Sequence, residues 1–150
     1  MFTLVPANFF NPSTARQALQ EVAPLTDSDR VAYKQIPRYS AVLIYNIPDG
    51  SDDPPGIFDI LERLSSCNEY NKVLCSWEDG VLSLAIGQGK SLLLANEFQA
   101  PDFTTAQYYI FFAMKSLQLN PEVTTISFAH SLSPEQEMAL YRYFKAVEII

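Results

Sequence analysis

Apolar residues recur along this chain with two spacings, about every second residue and about every 3.6, which are the periods of pleated strands and of helices. The opening "FTLVP" alternates as a short strand. Asn11 then stands where a helix cap belongs, with Pro12 at the first helical position and "STARQALQEVA" carrying the helix to Pro24. "RVAYKQI" and "SAVLIYNI" are rich in β-branched and aromatic residues; the second is almost wholly apolar and reads as a central strand. "PDGSDDPPG", residues 48–56, breaks the pattern with Asp, Pro and Gly and reads as a loop or linker. Beyond it Ile57, Phe58, Ile60, Leu61 and Leu64 fall on one helical face.

The order of elements then becomes informative. Residues 71–77, 80–87 and 90–98 read as three strands in two tight hairpins, turning at Glu78-Asp79-Gly80 and at Gln88-Gly89. Residues 104–119 form a helix that is apolar on nearly every face through Tyr108 to Met114, as expected of a helix sandwiched between layers. It stops before Asn120-Pro121. "TTISFAH" is the next strand. Ser133, Pro134 and Gln136 spell a capping box that opens another helix, and "AVEII" is a final strand. The sequence β-β-β-α-β-α-β is a meander extended by parallel strands on crossover helices, the ribonuclease-H-like arrangement of a mixed α/β sheet. The expected organisation is a strand-helix-strand appendage over residues 1–56 and a ribonuclease-H-like lobe over 57–150, with one compact unit as the alternative. Both ends are apolar strands, an expectation of either a fragment or a partner that completes the sheet.

Composition narrows the function. The 150 residues carry a net charge of −7, with 48% apolar and 13% aromatic residues, so a folded acidic domain is expected and disorder is not. Acidity without any basic cluster argues against nucleic acid and anionic membrane surfaces as partners. "MFTLVPANFF" lacks the basic start of a signal peptide, and "YYIFFAM" falls far short of a membrane span. A cytoplasmic setting is expected, with Cys67 and Cys75 as reduced thiols, although a bridge between them is a minority reading.

"GQGKS" ends like a phosphate-binding loop, but Leu84 stands where the opening glycine is required and an apolar strand follows instead of a helix. It reads as a hairpin turn. His130 is the sole histidine; as a general base it needs a nucleophile and an orienting carboxylate, and Ser131 beside it would point the other way along a strand. One histidine and two separated cysteines do not make a zinc site. The pairs Asp27 with Asp29, and Asp49 with Asp52 and Asp53, read as solvated turn residues before they read as cation ligands. Tyr108, Tyr109, Phe111 and Phe112 read as core; of Tyr141, Tyr143 and Phe144 some must lie exposed, as a protein-binding patch. No catalytic, cofactor-binding or metal-binding residue is assigned, and no cofactor is expected.

"FTLVPANFF" at 2–10, "LLLANEF" at 92–98, "YYIFF" at 108–112 and "LQLNP" at 117–121 resemble an uncharacterised bacterial family, domain of unknown function 3822, of the actin-like ATPase superfamily. The resemblance runs across essentially the whole chain and implies that it is mostly a second lobe. The superfamily holds ATP between two lobes with D-x-G hairpins, and the matching hairpin here would be Asp79-Gly80. Val81, Leu82 and Ser83 follow it where small or hydroxyl residues are expected, and no glycine occurs after Gly89 to flank an adenosine. The resulting expectation is a non-enzymatic interaction or self-association module with a protein or homo-oligomer partner. The alternative is an ATP-binding protein whose site is completed by a lobe outside this chain.

Overall fold

The computed structural model describes residues 1–47 and 53–150, so Asp49 and Asp52 lie outside the described residues. They fall into two compact units, Met1–Asp59 and Ile60–Ile150.

In the first unit, strands β1 (Phe2–Pro6), β2 (Arg30–Ile36) and β3 (Ala41–Ile47) pair antiparallel in the order β1-β3-β2. The nearly all-apolar β3 is the central strand, as its pattern requires. Asn11 accepts a hydrogen bond from the Ser13 N–H, but it caps a 3₁₀ turn, Pro12–Thr14, and the α-helix proper is the short α1, Ala15–Gln20. The helix lays Ala15 and Leu19 on Val42 and Ile44 of β3. The pattern in "STARQALQEVA" overstated the helix because Glu21, Val22 and Ala23 fold back in turns onto the Gln17 and Leu19 carbonyls.

Helix α2 (Gly56–Ser65) buries Ile57, Ile60, Leu61 and Leu64, the stripe read from the sequence. The second unit then runs β4 (Asn71–Glu78), β5 (Val81–Gln88), β6 (Ser91–Gln99), α3 (Phe103–Ser116), β7 (Thr125–Phe128), α4 (Pro134–Tyr141) and β8 (Ala146–Ile149). Its five-stranded sheet has the order β6-β5-β4-β7-β8, antiparallel across the hairpins and parallel from β4 through β7 to β8. That is the mixed α/β, ribonuclease-H-like arrangement expected. Alternation sorts the faces: Val73, Cys75, Leu82, Leu84, Ile86, Ile126, Phe128 and Val147 form one core with Ala106, Ile110, Ala113 and Met114 of α3 and with Leu140 and Phe144 of the α4 region.

Helix α3 departs from expectation. It is not sandwiched: Tyr108 and Phe112 are 61% and 57% exposed, and only a stripe through Ala106, Ile110, Ala113 and Met114 is buried. The pattern misled because seven consecutive apolar residues, Tyr108 to Met114, mask which face packs, and the small Ala106 and Ala113 mark the close approach better than the rings do. The helix begins under an Asp102 cap, whose carboxylate accepts from the Thr105 N–H, rather than at Thr104.

Candidate functional site

In open α/β sheets, ligands sit beyond the carboxyl ends of adjacent parallel strands whose connections diverge. Here β4 and β7 are those strands, since β4 leads to the meander and β7 onward to β8. Beyond their ends lie the Asp79-Gly80 hairpin and the segment Ala129–His130.

The hairpin is a two-residue turn with Asp79 at φ 51 and Gly80 at φ 74, positive at both central positions as a type I′ turn demands. Its mouth is filled by protein groups. The Trp77 backbone N–H donates to His130 Nε2 at 2.7 Å, and the Trp77 indole donates to the Ala100 carbonyl at 2.8 Å. Ala100 N–H returns a bond to the Gly80 carbonyl at 2.8 Å. Because Nε2 accepts, the ring proton sits on Nδ1, which donates to the Ser131 carbonyl at 3.1 Å. Rings close the circuit: Trp77 meets Phe103 edge-on at 5.6 Å, Phe103 meets Phe128 at 6.4 Å, and Phe128 meets His130 at 5.7 Å. The Trp77 and Ala100 N–H groups and the Gly80 and Ala100 carbonyls beside the turn are thus engaged within the chain.

This arrangement also settles where His130 lies. It is not on a strand, because β7 ends at Phe128 and the chain bends at Ala129 and His130. Both ring nitrogens are bonded to backbone, so the imidazole braces two segments and activates no Ser131 hydroxyl. The Trp77–His130 link spans 53 residues and no local pattern announces it.

The other sequence candidates separate. "GQGKS" is a hairpin between β5 and β6, with the loop at Gly89-Lys90, one residue later than read; Gly89 has φ 59 and its N–H donates to the Tyr70 carbonyl at 2.8 Å. A Cβ there would meet the exposed Tyr70 ring at 3.0 Å and push it aside, so it is the backbone angle that favours glycine. Asp29 closes its own turn by accepting from the Thr26 N–H at 2.8 Å, and Asp27 is exposed beside it. Cys67 and Cys75 are free thiols; burial pushes the Cys75 thiol well up, and its Sγ lies 3.8 Å from the Ser127 carbonyl. Among the described residues no group of three or more His, Cys, Asp or Glu side chains is placed to hold a metal ion. No helix among them is long and apolar enough to cross a membrane.

A second feature is on the surface. Tyr108 and Phe112 of α3 stack at 5.9 Å, and Phe111 beside them meets Tyr143 edge-on at 5.0 Å. Tyr141 and Tyr143 are 54% and 55% exposed while Phe144 is buried, so two of the three aromatics face outward; they do not share one helix, because α4 ends at Tyr141 and Tyr143 and Phe144 lie in the turn beyond it.

Comparison with known proteins agrees with this fold. A crystal structure of a Bacteroides thetaiotaomicron VPI-5482 protein, described as having an actin-like ATPase fold and unknown function, superposes with a TM-score of 0.78 at 19% identity. The match covers 99% of this chain and 64% of that one, so the chain spans less than two thirds of that protein's length. No curated protein matches. Residues 57–147 match the family model described as Protein of unknown function (DUF3822), and the chain belongs to that family.

Proposed function

We propose that this chain is a non-enzymatic module, built on a degenerate actin-like ATPase lobe, that acts through protein contacts or self-association. The observation that carries it is the closed mouth of the Asp79-Gly80 hairpin: Trp77, Ala100 and His130 bond one another where phosphate would have to approach. The exposed aromatic set of α3 and the α4 end supports the positive half of the reading, because tyrosine and phenylalanine supply contact area at low entropic cost. The test is a light-scattering mass series at micromolar concentration, paired with affinity capture, for the wild type and for Tyr108→Ser with Phe112→Ser. Association or capture that the double variant loses supports the module. A strict monomer that captures nothing removes it.

A second reading has its own observation. The Asp79-Gly80 turn keeps the left-handed geometry of a phosphate hairpin, and the Bacteroides protein of like fold is longer than this chain. In that reading Asp79 and Gly80 touch the phosphates of ATP within a site completed by a further lobe. It requires the Trp77–His130 bond to open, and absence of any Mg-ATP response in the whole protein would end it.

A further inference from the structure

On the sheet face opposite α3 and α4, the second unit holds a cleft of about 470 Å³, within the range of about 300–1,000 Å³ that small-molecule sites occupy. Its floor follows from the register. Leu74 pairs with Ser127 and Ser127 with Glu148, so the three line up across β4, β7 and β8, and Lys72 stands one pleat away on the same face. Arg63, at the end of α2, and the segment 66–69 form the wall.

Lys72 is the unusual residue. It is only 3% exposed, and its ammonium donates to the carbonyls of Cys67 and Gly89 at 3.3 and 3.2 Å. Both are long, neutral acceptors, and a lysine ammonium has three N–H donors. Among the described residues no carboxylate lies within ion-pair distance of it, and no acceptor meets the third donor. A buried charge without a counter-charge is costly to keep. The carboxylates of the cleft, Glu69 and Glu148, are exposed at its rim. The other cation of the cleft, Arg63, donates to the Ile150 carbonyl at 2.9 Å in the wall. The Lys72 charge therefore lies deep and negative charge at the mouth, with Leu64, Leu74 and Ile150 giving apolar wall between.

We propose that this cleft binds a small monocarboxylate with an apolar body, its carboxylate set against the Lys72 ammonium and its other end neutral or cationic at the Glu69 and Glu148 rim. A dianion is disfavoured, because its second charge would face those carboxylates. The site is independent of the Asp79-Gly80 hairpin and of the aromatic surface.

The test is calorimetry and amide NMR on the whole chain with four probes: leucine, isovalerate, succinate and inorganic phosphate. Saturable binding of leucine and isovalerate is expected, with succinate and phosphate at least about tenfold weaker, and with amide shifts at Cys67, Asn68 and Ser127. Lys72→Met is expected to weaken both binders about tenfold or more, the loss of one charge-assisted bond. Should that variant not fold, Glu148→Lys, on the exposed rim, carries the test: it is expected to bring succinate up to or above isovalerate. No saturable binding of leucine or isovalerate to the folded wild type overturns the proposal. So does binding in which Glu148→Lys leaves the order of the four probes unchanged.

Discussion

His130 Nε2 is the acceptor on which the part-buried Trp77 N–H depends, and losing the partner of such a half-solvated donor costs about 1 kcal/mol, the low end of the range for a buried one. His130→Ala is therefore expected to lower stability by about that amount in urea denaturation. Because Trp77 is the sole tryptophan, the same change should shift its emission to the red. His130→Ala with unchanged stability and emission would remove the bracing role. Asp102 gives a prediction in pH. Its carboxyl is held below the ordinary 3.8, first by the backbone hydrogen bond from Thr105. A depressed folded value means the carboxylate contributes stability above the unfolded value, and that contribution disappears as pH falls through the folded one. Asp102→Asn keeps a capping side chain but cannot titrate. The melting temperature of the wild type should thus fall relative to Asp102→Asn as pH drops below about 4, and parallel curves would contradict this.

At the scale of elements, what was legible is what local spacing encodes. The capping box of α4 could be read because its parts lie three residues apart, and both reciprocal bonds are present between Ser133 and Gln136, at 3.2 and 2.9 Å. Ser133→Ala is expected to cost about 1 kcal/mol in denaturant unfolding, with no change if the cap is idle. The hairpins could be read from Asp79-Gly80 and Gly89, since left-handed backbone selects glycine. Gly80→Ala should cost about 1–2 kcal/mol through φ alone, for the nearest atom to a new Cβ is the Ala100 oxygen at 3.9 Å. The exposed side of α3 was not legible, because Tyr108 and Phe112 carry the same apolar letters as the buried stripe. Nor was the burial of Lys72, which arises only where the β5–β6 turn and the segment after α2 bring two carbonyls to it. Both failures share a cause: they depend on partners remote in sequence.

For the whole molecule, the core of the second unit rests on β7, the short strand buried along its full length between β4 and β8. Phe128 is fully buried there, and Phe128→Ala is expected to cost about 3–5 kcal/mol. The fold is that of an actin-like ATPase lobe, and its order of elements was readable from the alternation of periods. Function was less readable, because it turns on whether the end of β4 and β7 is open, and that depends on Trp77, Ala100, Phe103 and His130 meeting across half the unit. The most direct measurement uses the tryptophan already placed at that mouth: Trp77 emission titrated with Mg-ATP to millimolar concentration. The account predicts no saturable change, because the backbone beside Trp77 is engaged with His130 and Ala100. A saturable change, abolished by Gly80→Val, would contradict it and return Asp79-Gly80 to the phosphates.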